Sequence, residues 1–481
     1  MNATRPNAIP AEQVLLRLKL ENPWWEHGKG ISSQYRNLPH RQYFDRFHDL
    51  VADFGLRRAV ILMGPRRVGK TVLLQQTIQK LLDIGNDPKQ ILFASVDVPT
   101  YTGLSLDEYL SIVARGMHFD VNSRGYVFFD EIQYLKDWER HLKVLVDTYP
   151  QIKFVASGSA AAALRLKSTE SGAGRFTDFL LPPLTFFEYL RFMKRPLDGY
   201  YEGDTPNTSA MMRDIAILNT DFIDYINFGG YPEAVFSETI KSDPGQFIRR
   251  DIIDKVLLRD LPSLYGISDI QELNRLFTML AFQSGQELSL DGLAQSSGVA
   301  KSTIKRYIEY LEAAFLIIKL RRIDDNCKKF QRERTFKIYL ANPSMRAALF
   351  SPILDPDDSQ LPHLVETAIV SQLTHIPEIL DLHYYARWKD GEIDIVKMDS
   401  ATFKPSYAVE IKWTDRYVSH HEELNNIRLF LKKMGPVDMT VTTKTIFETK
   451  HIPEKISYIP SSVFCLIMGN IYSNASTSIS F

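Results

Sequence analysis

The chain has 481 residues, of which 44% are apolar, and its formal net charge is −1. This composition predicts about three globular domains. It excludes a protein that is basic over its whole surface, so any contact with nucleic acid has to be local. The only cysteines, Cys327 and Cys465, stand far apart, which favours a reducing, cytoplasmic location over a disulfide scaffold. The polar N-terminus shows no secretory signal pattern. No apolar run reaches the ~20 residues of a membrane helix, so no membrane partner is expected.

The first segment, 1–45, carries a helical pattern at Ala11–Glu21 that ends before Asn22-Pro23. Trp24 and Trp25 follow directly. Two indole rings ahead of a nucleotide-binding core either flank an adenine base or pack against that core. Packing is the simpler interpretation.

A phosphate-binding loop is predicted after the apolar run Ala59–Met63, which reads as a strand. The eight loop residues are Gly64, Pro65, Arg66, Arg67, Val68, Gly69, Lys70 and Thr71. The glycines let the backbone N–H groups turn inward toward phosphate oxygens, and the helix that follows adds its positive end. Lys70 is expected to reach the β- and γ-phosphates of ATP, and the Thr71 hydroxyl is expected to bind Mg²⁺.

Further short apolar runs at Ile91–Val96, Tyr126–Phe129, Lys153–Ala156 and Asp178–Leu181 alternate with helical patterns. Such runs are typical of parallel strands buried on both faces, and they predict a doubly wound α/β sheet.

The third strand ends in Asp130 and Glu131, which is the Walker B arrangement. Asp130 is expected to hold Mg²⁺ through Thr71, and Glu131 is expected to polarise the attacking water.

Two further candidates come next along the chain. Ser159 follows the fourth strand, where it either senses the γ-phosphate or belongs to a plain turn. Arg175 lies on a loop of small residues before the fifth strand. It is either an arginine finger, acting within its own chain or on a neighbouring copy, or an ordinary surface arginine.

Several motifs together resemble a known family. They are Asp130-Glu131-Ile132-Gln133, Trp138-Glu139, Gly158-Ser159, Gly174-Arg175-Phe176, Pro183–Tyr189, Gly229–Ala234 and Arg259-Asp260-Leu261. The run is similar to the bacterial and archaeal AAA+-type ATPases that carry a C-terminal domain of unknown function, and it extends from about Trp25 to about Trp413. The resemblance implies ATP binding and hydrolysis, and it leaves the biological role open.

A winged helix-turn-helix is predicted at 286–336, after a mostly helical extension at 193–285. Leu290, Leu293 and Ala294 indicate a first helix, Gly298 a turn, and Ser302 the cap of a second helix. Three basic residues at the start of that second helix are the expected nucleic-acid contacts: Lys301, Lys305 and Arg306. The alternative is that this module serves only for packing.

A basic stretch follows at 319–337, and it is the only local charge asymmetry that suggests DNA. Its basic residues are Lys319, Arg321, Arg322, Lys328, Lys329, Arg332, Arg334 and Lys337, and its acids are Asp324, Asp325 and Glu333. Eight basic minus three acidic residues leaves a charge of +5 on a chain whose total is −1.

The C-terminal part, 337–470, resembles the PD-(D/E)xK nuclease core. Asp394 lies on one predicted strand, Glu410 and Lys412 share a face of the next, and Glu366 lies on a preceding helix. The resemblance implies a Mg²⁺ site formed by Glu366, Asp394 and Glu410. Lys412 would position the attacking water or neutralise a phosphate oxygen. Such folds also occur without catalysis.

The expected architecture is α/β. It consists of an N-terminal helical segment, a P-loop NTPase sheet of AAA+ type at 46–192, the helical extension, the winged helix, a restriction-endonuclease-like domain and a flexible tail at 471–481. One hypothesis is an ATPase acting on DNA that gates a nuclease. The alternative is a regulatory ATPase with a silent nuclease-like domain that binds protein or DNA, and a role in host defence or toxin control is compatible with either. A homo-oligomer is expected if Arg175 acts on a neighbour.

Overall fold

The computed structural model describes residues 10–474, apart from 27, 102, 160–173, 324–333, 376–379, 389–390 and 452–454. The chain divides into two compact units, Met1–Leu181 and Pro182–Phe481. The division lies ahead of residue 192, where the sequence predicts the end of the ATPase core. Cys327 and all the acidic and basic residues at 324–333 lie outside the described residues.

A five-stranded parallel sheet forms the centre of the first unit, in the order β2-β3-β4-β1-β5. The strands are β1 (Ala59–Met63), β2 (Ile91–Ser95), β3 (Gly125–Asp130), β4 (Ile152–Gly158) and β5 (Phe176–Leu180). All five predicted strands are confirmed to within two residues. Strands β1, β3 and β4 are buried along their whole length, as their apolar runs require.

The helices of the first unit bury apolar side chains, apart from the short helix at Ser33–Arg36. They are α1 (Ala11–Glu21), α2 (Ser33–Arg36), α3 (Phe44–Ala52), α4 (Lys70–Asp83), α5 (Leu106–Met117) and α6 (Trp138–Thr148). Short 3₁₀ turns lie at Pro23–Trp25, Pro88–Gln90, Pro99–Tyr101 and Ile132–Tyr134. The predicted boundary at residue 45 falls inside α3, near its start.

The segment after α1 covers the edge strand β2. Asn22 donates from Nδ2 to the Phe93 carbonyl at 2.7 Å and accepts from the Phe93 N–H at 2.6 Å, so it acts as a short substitute strand. The indoles of Trp24 and Trp25 both donate to the Ile91 carbonyl, at 3.0 and 2.9 Å. The two rings are therefore packed against the start of β2, as the simpler interpretation expects.

The second unit contains a two-stranded ribbon, β6 (Tyr201–Glu202) with β7 (Thr205–Pro206), and a nine-stranded mixed sheet. The large sheet runs in the order β15-β16-β14-β13-β12-β11-β9-β10-β8. Its strands are β8 (Glu287–Leu288), β9 (Ile317–Arg322), β10 (Phe336–Leu340), β11 (His383–Trp388), β12 (Gly391–Met398), β13 (Pro405–Glu410), β14 (Asp438–Thr443), β15 (Glu448–His451) and β16 (Lys455–Pro460).

A single sheet thus joins two regions that the sequence assigns to separate domains. Strands β9 and β11 pair in parallel, with Arg321 opposite Tyr384 and Arg322 opposite Tyr385. The predicted boundary at 336/337 falls within β10. The region after Glu287 and the nuclease-like region therefore share one continuous set of backbone hydrogen bonds.

The helices of the second unit pack on both faces of this sheet. They are α7 (Phe186–Phe192), α8 (Thr208–Arg213), α9 (Ile215–Phe228), α10 (Pro232–Phe236), α11 (Glu238–Ser242), α12 (Leu261–Tyr265), α13 (Ile270–Phe282), α14 (Leu290–Ser297), α15 (Lys301–Ala313), α16 (Ser344–Leu349), α17 (Leu361–Gln372), α18 (Arg416–Ser419), α19 (Asn425–Met434) and α20 (Ser461–Asn474). Gly245–Asp254 and Val256–Asp260 are π-helical, and 3₁₀ turns lie at Leu373–His375 and His421–Glu423.

Two details differ from the sequence-based expectations. Helix α15 begins at Lys301 after Ala300, without a side-chain cap, so Ser302 lies inside the helix and does not cap it. Helix α20 continues to Asn474, past residue 471 where a tail is predicted to begin. Within the described ranges, no helix combines the length and the apolar character needed to cross a membrane.

Candidate functional site

The loop after β1 is held close to the end of β5. A Cβ atom on Gly64 would lie 2.2 Å from the Leu181 carbonyl oxygen, so only glycine fits there without moving the backbone. At the other end of the loop, Gly69 has φ 95° and is the residue before the first turn of α4. Because that turn leaves backbone N–H groups without helical partners, the loop surrounds a position suited to a phosphate.

Lysine and arginine side chains brace this loop. Lys70 is buried, and its Nζ donates to the carbonyls of Gly64 at 3.0 Å and Pro65 at 2.7 Å. Arg41 is also buried and donates to the Val68 carbonyl at 2.7 Å. Arg41 is a loop-bracing residue that the sequence alone does not reveal, since it lies ahead of the motif.

Thr71 in the first turn of α4 contacts Asp130, the last residue of β3. The Thr71 hydroxyl donates to Asp130 Oδ2 at 2.7 Å, and the buried Ser157 hydroxyl donates to Asp130 Oδ1. Burial raises the pKa of Asp130, and the charge of Glu131 raises it further, while hydrogen bonds from Ser157 and Thr71 oppose the shift. The hydroxyl and carboxylate oxygens are the hard donors that Mg²⁺ prefers, so these two residues fit the expected ion.

Glu131 is held beside this pair by two polar neighbours. Its φ is 55°, which turns the chain sharply into the Ile132–Tyr134 turn. Gln133 Nε2 donates to Glu131 Oε2 and to the Ser159 hydroxyl oxygen, the latter at 3.2 Å. The Ser159 hydroxyl is also 3.5 Å from Glu131 Oε2. Ser159 thus lies beside Glu131, and its role as a sensor of the γ-phosphate stays a prediction. Gln133 is a contact to which the sequence assigned no role.

Arg175 is placed where it cannot reach this site within its own chain. Its carbonyl accepts from the Ala59 N–H at 2.9 Å, at the start of β1, whereas the loop follows the end of β1. The parallel β1 and β5 therefore hold Arg175 and the loop at opposite edges of the sheet. Its side chain pairs with Asp147 at 2.5 Å. The alternative in which Arg175 acts as an arginine finger within its own chain is therefore wrong.

A second cluster of charged residues lies in the other unit, around Lys337 on β10. The side chain of Lys337 is 3% exposed, and its Nζ lies 3.1 Å from Glu366 Oε1, 3.4 Å from Asp394 Oδ1 and against Glu392. Tyr339 donates to Glu366 at 2.7 Å. Burial lowers the pKa of Lys337, but the surrounding acidic groups, Glu366 foremost, outweigh burial and raise it overall.

Glu410 and Lys412 form the neighbouring part of this cluster. Lys412 Nζ lies 2.7 Å from Glu410 Oε1, and Asn426 donates to the same oxygen at 2.9 Å. Glu410 Oε2 is buried and has no hydrogen-bond partner among the described residues. Burial, then the charge of Asp394, raise the pKa of Glu410 to about 8. The same two causes raise the pKa of Glu366 to about 7.

The metal ligand set predicted here does not fit the geometry. Glu366 and Asp394 share the Lys337 ammonium, Asp394 Oδ2 accepts the Ile411 N–H at 2.8 Å, and Glu410 faces Lys412. Across the described parts of the chain, no three His, Cys, Asp or Glu side chains are arranged to hold one metal ion. The positive charge among these carboxylates comes from Lys412 and from Lys337, which the sequence placed in the basic stretch that suggests DNA.

The expected nucleic-acid contacts remain on the surface. Lys301, Lys305 and Arg306 are exposed on the first two turns of α15, and Lys301 pairs with Asp291. Lys319, further along, lies 4.7 Å from the centre of the Phe336 ring. The basic residues Lys328, Lys329 and Arg332 fall outside the described residues.

Two family models match this chain. Residues 56–190 match an AAA domain, and residues 219–355 match a domain of unknown function, DUF8612. With the parallel sheet and the loop geometry above, the first match shows that the chain contains an AAA-type P-loop domain. The second covers a region that follows that domain and includes Lys337 and Tyr339 of the charge cluster.

Among curated proteins, an uncharacterized protein of Methanocaldococcus jannaschii is 24% identical over 58% of this chain and 60% of its own length. A second from that organism is 25% identical over 64% of this chain and 66% of its own length. The chain thus spans somewhat less than two thirds of these relatives. An uncharacterized protein of Mycobacterium tuberculosis is 29% identical over 75% of this chain and 72% of its own length.

Solved structures show more distant similarity. The Walker-type ATPase of Pyrococcus abyssi superposes with a TM-score of 0.42 and 16% identity, over 68% of this chain and 99% of that one. The ORC2 protein of Aeropyrum pernix in its ADP form gives a TM-score of 0.34 and 14% identity, over 68% and 95%.

Proposed function

We propose that this chain binds and hydrolyses ATP with Mg²⁺ in its AAA-type domain. The observation that carries the proposal is the 2.7 Å hydrogen bond between the Thr71 hydroxyl and Asp130, because it joins the phosphate loop to the acidic strand end. Gly64–Thr71 would bind the triphosphate, Lys70 would neutralise it, and Glu131 would accept the proton of the attacking water. Thr71 and Asp130 would hold the ion, which polarises the γ-phosphate when it is bound.

ATP hydrolysis by the full chain tests this proposal. Lys70→Ala should lose ATP binding and turnover, since the buried ammonium is the expected triphosphate partner. Lys80→Ala is the matched control, because Lys80 is an exposed lysine on the same helix, α4. Equal turnover in wild type and Lys70→Ala would overturn the assignment.

For the nuclease-like region, the Lys337 contacts favour the silent alternative. A lysine between Glu366 and Asp394 supplies the charge that a metal ion would otherwise supply. We infer that this region serves as a binding module for DNA or a protein and does not cut nucleic acid. Single- and double-stranded DNA and RNA would be incubated with the chain, Mg²⁺ or Mn²⁺ and ATP. Cleavage that is lost in Asp394→Ala and Lys412→Ala would overturn this inference.

DNA is the partner that the surface of α15 supports. Helices α14 and α15 are joined through Gly298 and are followed by β9 and β10, the order expected of a winged helix-turn-helix. Exposed Lys301, Lys305 and Arg306 at the start of the second helix suit phosphate and base contacts.

Arg175 lies at the edge of its sheet away from the loop, so it would act only on a neighbouring copy of the chain. Such a role would make the active form a homo-oligomer.

A further inference from the structure

Gln133 is a polar residue at the candidate ATP site that none of the roles above uses. It follows the sharp turn at Glu131, so its side chain reaches back over the end of β3. Its Nε2 donates to the Glu131 carboxylate and to the Ser159 hydroxyl oxygen at 3.2 Å. One amide thus links the proposed base, which directly follows β3, to Ser159, which directly follows β4.

The other end of this amide is unsatisfied. Gln133 Oε1 is buried and has no hydrogen-bond partner among the described residues. A buried acceptor without a donor is unfavourable, so such an atom in a site is a candidate for receiving a hydrogen from a bound molecule. Since Nε2 already faces a carboxylate, Oε1 has to be the acceptor end of the amide.

We propose that Gln133 positions the attacking water for ATP hydrolysis, with Nε2 fixing Glu131 and Oε1 accepting one hydrogen of the water. This inference rests on the proposed ATPase function. In the step, the water oxygen bonds to the γ-phosphorus and the bond from that phosphorus to the bridging oxygen of ADP breaks. Glu131 takes the proton, and ADP and phosphate leave.

Glutamine suits this role for a chemical reason. A neutral amide offers a donor and an acceptor on one rigid plane, so it can hold a carboxylate and a water side by side without adding charge. Alignment of a reactant in this way contributes to the barrier of the chemical step and little to ground-state binding. Gln133 would therefore affect kcat for ATP and leave KM nearly unchanged.

The test compares Gln133→Met, Gln133→Glu and Glu131→Gln in the full chain, with Gln13→Met as a matched control on the exposed part of α1. ATP affinity, kcat, KM and melting temperature would be measured. Gln133→Met should lose roughly 10–100-fold in kcat, with affinity and KM within about threefold of wild type. Gln133→Glu keeps an acceptor oxygen but no longer donates a hydrogen bond to Glu131, so it should also lose kcat with KM nearly unchanged.

The outcomes distinguish a failure of the Gln133 role from a failure of the proposed ATPase function. If wild type hydrolyses ATP, Glu131→Gln does not, and both Gln133 variants keep wild-type kcat, the role of Gln133 is overturned alone. If wild type shows no hydrolysis, or Glu131→Gln is as active as wild type, the proposed function fails and this inference fails with it. A loss of melting temperature in Gln133→Met that accounts for its lost activity would indicate a structural role, which also overturns the proposal.

Discussion

Replacement of Lys337 by methionine would leave three acids around a position with no cation. The Lys337 side chain is 3% exposed, and its partners Glu366, Asp394 and Glu392 are 14%, 12% and 25% exposed. Removal of one member of a buried ion pair costs about 3–5 kcal/mol, because the remaining charge is neither solvated nor paired. We expect a loss of this size for Lys337→Met at pH 8.

The loss should depend on pH, with a sign that follows from the raised pKa values. Glu366 has a pKa of about 7 in the folded chain, against an ordinary value of 4.5, and the Lys337 charge holds it down. Without Lys337 the folded-state pKa rises further. A carboxyl whose pKa is raised by folding contributes stability below its unfolded pKa and loses it as pH rises toward the folded value. Lys337→Met should therefore approach wild type near pH 5.

Calorimetry of the full chain measures this effect. For a domain of this size, each kcal/mol of lost stability lowers the melting temperature by about 2 °C. The melting temperature of the second unit should therefore fall by roughly 6–10 °C at pH 8. Lys255→Met is the control, since Lys255 pairs at 2.9 Å with Asp251 on the surface and is 42% exposed. Its expected cost is about 0–1 kcal/mol at either pH. A Lys337→Met protein that melts with wild type at pH 8, or whose deficit is equal at pH 5 and pH 8, would refute the reasoning.

Two further predictions concern other parts of the chain. Asn22→Ala should destabilise the first unit by about 2–4 kcal/mol, because the N–H and carbonyl of Phe93 lose their partners at the sheet edge. Thermal unfolding measures this loss, with the exposed residue variant Gln13→Ala as the control. A melting temperature of Asn22→Ala equal to that of Gln13→Ala would contradict the prediction. Lys305→Glu/Arg306→Glu should weaken binding to duplex DNA by at least roughly tenfold and reduce its salt dependence, because the two proposed phosphate contacts would be reversed in charge. Fluorescence anisotropy over a salt series measures this, with Lys432→Glu/Lys433→Glu on α19 as the matched reversal, and an equal loss in both double variants would count against a specific contact surface.

The first unit could be predicted from the sequence in some detail. Its strands are short apolar runs buried on both faces, and local composition is enough to identify them. The meeting of Thr71 with Asp130 also follows from the pattern, since both lie at the carboxyl ends of parallel strands. The same rule puts Arg175, which precedes a parallel strand, at the opposite edge from the loop, and it argues against the alternative of an arginine finger that acts within its own chain.

The second unit was less predictable, for physical reasons. The parallel pairing of β9 with β11 joins residues about sixty positions apart, and no local pattern encodes such a contact. Lys337 lies in a run of basic residues, which suggests a solvated surface, yet strand β10 turns it toward Glu366. Membership of Glu392 in this charge cluster could be predicted from the sequence, since Glu392 stands two residues before Asp394 on the same strand and so on the same face.

The role of Gln133 needed three-dimensional information. The sequence shows it two residues after Glu131, but only the turn with φ 55° at Glu131 brings its amide back to the carboxylate. Arg41 is similar, because its contact with the Val68 carbonyl joins residues that no motif links. Such contacts depend on the path of loops, which composition constrains weakly.

The most direct test of the ATPase assignment is a comparison of binding and turnover in Glu131→Gln. ATP affinity with Mg²⁺ and single-turnover hydrolysis would be measured on the same preparation of the full chain. The account predicts affinity close to wild type, because Lys70, Thr71 and Asp130 are intact, together with loss of hydrolysis. Hydrolysis at the wild-type rate in Glu131→Gln would contradict it.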